Sequence, residues 1–198
     1  FARLAGALGD AEWLRRAELL LEQALPLFGA EDGGFHDAAS DAEQLWARAR
    51  EVSDNPTPSG TSALVAALRL VALLADRPEL DARADAAAAT LAGILEQAPR
   101  FAGSALVDAL VADEARTGLR PAVAVVVDAE PLGELSRASW RMAPIGTAVL
   151  TGRSGTAGFA HHFDERPGPG VYVCRGTTCF APTSDLTELR TALWSRVN

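Results

Sequence analysis

The sequence predicts a mainly α-helical protein in which helical hairpins are followed by a small α/β C-terminal element. Three observations support this prediction: apolar side chains recur at helical spacing, a hairpin pattern returns after about 66 residues, and β-branched residues cluster after Pro121. We therefore expect helical hairpins over residues 1–118 and the α/β element over residues 119–198.

Residues 4–8 are predicted to be the end of a short helix, the first of the hairpin, and Gly9 ends it. A second helix follows over residues 10–28, with Asp10 as its expected N-cap. Its apolar side chains recur at intervals of three and four, as in an amphipathic helix with one face in a core: Leu14, Ala17, Leu21, Leu25 and Phe28. The pattern therefore predicts a helical hairpin.

A similar hairpin recurs later in the chain. Residues 3–4 and residue 10 align with residues 69–70 and residue 76, at an offset of 66. Residues 16–18 then align with residues 83–85, at an offset of 67. This indicates a helical repeat or toroid, and chance similarity between two Ala-rich helices is the alternative.

The helix over residues 59–75 is apolar on nearly all sides, which predicts the buried inner helix of a two-layer ring. An outer helix is expected over residues 79–97. Another helix is expected over residues 101–116, with Leu106 and Leu110 among its inward-facing residues.

The C-terminal part alternates short strands and helices. Strands are predicted over residues 122–127, 147–150 and 171–174, with residues 179–181 pairing back on the last of these. Helices are predicted over residues 132–140 and 185–194, and Thr183 or Ser184 is the expected cap of the second. The Gly- and Pro-rich segment 152–170 is expected to be a loop.

Composition excludes several classes of function. A net charge of −8 without an Arg-rich stripe argues against a nucleic-acid partner, and the absence of a long apolar run argues against a membrane-spanning protein. All 18 basic residues are Arg, so Schiff-base chemistry on a lysine is excluded, and this bias is typical of G+C-rich bacterial genomes. With two cysteines, a cytoplasmic location is expected. We expect no cofactor and no metal.

The candidate site lies in two polar stretches, residues 33–41 and 53–62, the second of which enters the apolar helix. Amides at a helix N-terminus and nearby hydroxyl groups can bind sugar hydroxyls or an anion, and paired carboxylates serve acid–base chemistry. The alternative is that Asp54 and Ser59 only cap the helix. The candidate substrate-binding residues are Asp37, Asp41, Asp54, Asn55, Thr57, Ser59 and Thr61.

Other reactive side chains favour structural interpretations. His36, beside Asp37, could act as a base but is more often a packing residue. The adjacent pair at residues 161–162, followed by Asp164 and Glu165, fits a metal site poorly. Cys174 and Cys179 flank a predicted turn, and we interpret them as two buried small residues, with a cross-strand disulfide as the alternative.

Four strings of the sequence resemble one family: residues 34–37, 54–63, 171–174 and 179–185. They are similar to the C-terminal part of the thioredoxin-domain-containing proteins related to spermatogenesis-associated protein 20. The resemblance implies an N-terminal thioredoxin-like domain and an (α/α)6 toroid similar to N-acylglucosamine 2-epimerases. This chain would then be the last part of the toroid plus the terminal α/β element.

The resemblance also implies partners and function. The N-terminal remainder of the same protein, or a second copy, is expected to cover the incomplete ring, and a sugar is the ligand that the fold kinship favours. Family members often carry an aromatic residue at His36, and the catalytic histidines of the epimerases have no match in this chain. Two functions follow: a sugar isomerase- or epimerase-like protein, or a non-catalytic scaffold or chaperone-like binding module attached to a redox domain.

Overall fold

The computed structural model describes residues 1–43, 46–116, 122–127, 132–153, 155–164, 166, 168–176 and 178–195. About 54% of it is helical and a small mixed sheet lies towards the C-terminus, in agreement with the predicted mainly α fold and its α/β element. The chain forms two compact units, one of Phe1–Arg16, Leu73–Ala75 and Val111–Asn198, the other of Ala17–Ala72 and Asp76–Leu110. The predicted domain boundary, after residue 118, lies outside the described residues.

Six α-helices and a 3-10 turn over Pro99–Phe101 precede the sheet in the described part of the chain. The helices are α1 Ala2–Leu8, α2 Ala11–Phe28, α3 Gly60–Ala75, α4 Pro78–Ala89, α5 Ala92–Gln97 and α6 Gly103–Arg116. Both α1 and α3 end at a left-handed residue, Gly9 (φ 63°) and Asp76 (φ 53°), and the next helix starts two residues later. A left-handed residue is a common way for a helix to end, and the predicted repeat stays a prediction. Among the described residues, no helix has both the length and the apolar character to cross a membrane.

In the Ala17–Ala72 and Asp76–Leu110 unit, α3 contributes apolar side chains to the core. Val65, Leu68 and Val71 are almost completely buried, whereas Ala63 and Ala66 are exposed, so the burial of α3 is one-sided in its first turns. The prediction for α6 is wrong in part: Leu106 and Leu110 were expected to face inward, but both are exposed. The helix turns a different side, which carries Asp108, towards α3.

Asp108 forms an ion pair with Arg69 of α3. The Arg69 Nε atom lies 2.5 Å from Asp108 Oδ1 and its Nη2 atom 3.1 Å from Oδ2, and both side chains are largely buried. Arg69 also donates to the exposed carboxylates of Asp81 and Asp85 on α4, at 2.9 Å each. Burial opposes the charge of Arg69, but the hydrogen bonds that Arg69 donates to Asp108, Asp85 and Asp81, together with the charge of Asp108, outweigh it and raise the pKa of the guanidinium. A single cation therefore connects three helices.

The other unit contains a four-stranded sheet of β1 Val123–Val127, β2 Ala148–Gly152, β3 Gly170–Arg175 and β4 Thr178–Cys179. The strand order is β2-β1-β3-β4, with β1 parallel to β2 and antiparallel to β3. Helices α7 Glu134–Met142 and α9 Leu186–Trp194 contribute to its core. Helix α1 approaches β2 so closely that a methyl group at Gly6 would collide with the carbonyl oxygen of Val149.

Two local predictions in this unit are wrong. The segment expected to be a loop contains a short helix, α8 Ala160–Phe163, because Phe159 and Phe163 are drawn into the core. The cap of α9 is Asp185, whose carboxylate accepts from the amides at 187 and 188, rather than Thr183 or Ser184. The Thr183 hydroxyl instead accepts from the amide of Asp185, at 3.0 Å.

Candidate functional site

The polar segment between α2 and α3 is held by backbone contacts. The amide of His36 donates to the carbonyl of Phe28 (2.8 Å) and that of Asp37 to Ala49 (2.9 Å). Arg48 donates to the carbonyls at 27 and 38, at 2.7 and 2.6 Å, and Phe35 is buried beneath the segment. The guanidinium of Arg83 covers the Phe35 ring at 4.3 Å. These arginines order the segment through contacts with residues distant in sequence, which no local pattern indicates.

Asp54 is bound by the starts of two helices. One carboxylate oxygen accepts from the amide of Ser59 at 2.8 Å, just before α3. The other accepts from the amides of Ser104 (2.6 Å) and Ala105 (3.3 Å) in the first turn of α6. Burial opposes the charge, but these three hydrogen bonds outweigh it and lower the pKa of Asp54 below its ordinary value. The carboxylate is therefore held ionised as a shared cap.

Ser59 and Thr61 are buried and point into the protein. The Ser59 hydroxyl accepts from the amide of Ser62 at 3.2 Å and donates to the Ser62 hydroxyl at 3.0 Å, so Ser59 is the N-cap of α3. The Thr61 hydroxyl is 3.5 Å from the carbonyl oxygen of Phe35, to which it donates. Both hydroxyl groups are thus engaged within the protein.

The remaining candidates are on the surface or close to it. Asp37 is exposed, and its Oδ2 atom accepts from the amide of Glu51 at 2.6 Å. The other carboxylate oxygen of Asp37, Oδ1, lies next to Gly60: a methyl group added at Gly60 would be 3.2 Å from this oxygen. Asp41, Asn55 and Thr57 are exposed. The structure therefore brings Asp37, Asp54 and Ser59 to the start of α3, each in contact with backbone, and substrate binding by the seven residues stays a prediction.

His162 occupies a structural position. The ring of His162 is buried, and its Nε2 atom lies 3.1 Å from the carbonyl oxygen of Leu73 and 3.2 Å from that of Leu74. Because carbonyls only accept, Nε2 carries the proton and donates to the last turn of α3. Burial, followed by the charge of His161, lowers the pKa of His162 to about 4. Glu165 lies outside the described residues, and within them no group of three metal-ligating side chains forms.

A surface recess of about 500 Å³ lies in the unit that contains the sheet. Its accessible lining is almost entirely apolar, although three arginines are among the residues that form it: Arg3, Leu4, Ala7, Leu132, Arg137, Trp140 and Arg141. None of the seven candidate residues lines this recess. Its residues come from α1, from α7 and from Leu132 just before α7, and α1 and α7 are far apart in the chain, so no local motif could have indicated it.

The candidate residues thus separate into three kinds. Asp54 and Ser59 stabilise helix starts, Thr61 is buried, and the others reach the surface.

The chain matches no family model, and no curated protein is significantly similar to it.

Proposed function

We propose that this chain is a non-catalytic helical binding module, the C-terminal part of an (α/α)6 toroid in a protein of the thioredoxin-domain-containing family named above. The main support is the environment of Asp54, the strongest candidate for an acid or base. Its carboxylate accepts three backbone amides, and its pKa is lowered. A carboxylate stabilised in this way is a weak base at neutral pH, which favours a structural role.

The binding surface in this proposal is the apolar face of α6. Leu106, Val107 and Leu110 are exposed and share one side of the helix, while Asp108 fixes another side to Arg69. An exposed apolar helix face is typical of a surface that another element covers. We propose that further hairpins of the toroid cover it, supplied by the N-terminal remainder of the same protein, and that the chain alone self-associates through it.

The association is tested by measuring the mass of the chain by light scattering over a range of concentrations. Self-association is expected for the natural chain, and Leu110→Glu is expected to yield a monomer, because a charge in a buried apolar contact is costly. Leu19→Glu, at an exposed position on α2, is the matched control and should leave association unchanged. A natural chain that stays monomeric at all concentrations would contradict the proposed face.

The structural role of Asp54 is tested by Asp54→Ala. The loss of three hydrogen bonds at two helix starts should lower the free energy of unfolding by about 2 kcal/mol. Asp41→Ala, at an exposed position, should change it by less than about 0.5 kcal/mol. Urea unfolding followed by circular dichroism measures both. Equal stability of Asp54→Ala and the natural chain would remove the main support for the proposal.

Sugar binding or transformation is the second candidate function. It is favoured by the exposed polar side chains of Asn55 and Thr57 and by the Asp37 oxygen beside Gly60. Calorimetry with a panel of neutral and N-acetylated monosaccharides tests it, with Asp37→Asn as the variant and Glu96→Gln on α5 as the control. Saturable heat that Asp37→Asn abolishes and Glu96→Gln preserves would favour this function over the first.

A further inference from the structure

The hairpin of β3 and β4 carries a disulfide at the edge of the sheet. Cys174 and Cys179 are register partners whose Cα atoms lie 3.9 Å apart, and their sulfurs are bonded. The alternative of a cross-strand disulfide is therefore confirmed, and the expectation of two buried small residues is wrong: Cys174 is 7% exposed, but Cys179 is exposed. Because β4 is an edge strand of two residues, solvent reaches the disulfide from the Cys179 side.

A guanidinium group is held against both sulfurs. The Nη2 atom of Arg166 lies 3.3 Å from Cys174 Sγ and 3.5 Å from Cys179 Sγ. The Nη1 atom of Arg166 donates to the carbonyl of His162, and the central carbon of the guanidinium lies 5.7 Å from the centre of the Tyr172 ring. In the part of the chain that the structure describes, no carboxylate forms an ion pair with Arg166. Its positive charge is therefore directed at the disulfide.

The neighbouring arginine points elsewhere. Arg175 follows Cys174 directly, but its guanidinium donates to the carbonyls of Leu193 (2.7 Å) and Ser195 (3.2 Å) near the end of α9. Among the described residues, Arg166 is therefore the cation that contacts both sulfurs. A cation next to sulfur stabilises the thiolate over the thiol, which makes that sulfur a better leaving group when the disulfide is attacked.

We propose that the Cys174–Cys179 disulfide is a thiol–disulfide exchange site that accepts two electrons from a dithiol. A thiolate of the dithiol attacks the exposed Cys179 Sγ. A new sulfur–sulfur bond forms there while the bond to Cys174 breaks, and the electron pair of the broken bond passes to Cys174 Sγ, beside Arg166.

The second thiol of the dithiol completes the exchange. It loses its proton to solvent and attacks the dithiol sulfur in the mixed disulfide, so that Cys179 leaves as a thiolate. The dithiol ends as a disulfide, the chain ends with two reduced cysteines, and the protons pass between them through solvent. Arg166 acts as a positioning residue that stabilises the first thiolate released.

The experiment measures reduction of the folded chain by dithiothreitol, with samples quenched by N-ethylmaleimide and counted by mass spectrometry. Arg166→Gln removes the charge and should slow reduction about fivefold. It should also shift the exchange equilibrium about tenfold towards the disulfide, equivalent to about 30 mV. Arg166→Lys should retain most of the natural rate. Arg190→Gln, at an exposed position on α9, is the control and should match the natural chain.

Two results would overturn the proposal. One is an Arg166→Gln variant that is reduced as fast as Arg190→Gln; the other is a natural disulfide that resists millimolar dithiothreitol while circular dichroism shows the chain folded. If Arg166→Gln does not fold, the thiolate absorbance of the reduced natural chain decides. A midpoint pH clearly below the value of about 8.5 for a free cysteine supports the proposal, and a midpoint at or above it refutes it.

Discussion

Acidification should destabilise the chain through His162, whose neutral ring donates to the last turn of α3. In the folded chain, burial lowers the pKa of His162 from its ordinary value of 6.5 to about 4. The unfolded chain therefore binds a proton at this ring more readily than the folded chain does. The stabilisation is complete above about pH 6.5 and is lost as the pH falls towards 4.

The magnitude follows from this difference in proton affinity. Each tenfold difference in the proton affinity of the ring between the folded and unfolded chains is worth about 1.4 kcal/mol. The lowering of the pKa from 6.5 to about 4 therefore corresponds to roughly 3 kcal/mol of stabilisation of the folded chain. Between about pH 6 and pH 4.5, the free energy of unfolding should fall by about 1.4 kcal/mol per pH unit on account of His162. Carboxylates contribute to pH dependence as well, so a comparison between variants is needed.

The assay is urea unfolding at a series of pH values for the natural chain, for His162→Gln and for His161→Gln. The glutamine at 162 does not titrate, so this variant should lose the part of the slope that belongs to the ring. The exposed His161 is the matched control, and its replacement should leave most of the slope. Equal slopes for the natural chain and His162→Gln, or a ring that titrates by NMR at 6.5 or above, would refute the reasoning.

Two further predictions concern packing. Asp108→Asn should lower the free energy of unfolding by about 2 kcal/mol, because the largely buried Arg69 loses its closest charge partner; a change below about 0.5 kcal/mol in urea unfolding would contradict this. Gly6→Ala should lower the melting temperature, because the added methyl group meets the carbonyl oxygen of Val149. Gly93→Ala is the control, since open space surrounds that position on α5, and it should raise the melting temperature slightly; the opposite order would contradict the packing described.

Helix periodicity predicted most of the helices, because it depends on residues close in sequence. The bounds of α2 and α3 differ from the predicted ones by one residue, and Gly9 ends α1 as expected. Helix α8 was missed because four residues are too few to establish a period, and its formation depends on the burial of Phe159 and Phe163. Its residues are fixed by tertiary contacts that the local pattern does not encode.

The candidate site was predictable only in part. That Asp54 and Ser59 cap a helix was one of the two interpretations, since both precede an apolar helical run. That Asp54 also caps α6 could not be predicted, because the amides of Ser104 and Ala105 lie about 50 residues away. Ala102, which precedes α6, has no side chain able to cap it, and this is the weak signal that a distant group was needed.

Because one carboxylate accepts amides from two helix starts, the two ends cannot fray independently. Opening the first turn of α6 removes two of the three partners of Asp54 and weakens its contact with Ser59. The amide protons of Ser59 and Ser104 should therefore exchange with deuterium through one shared opening event, with equal protection that disappears together when Asp54 is replaced.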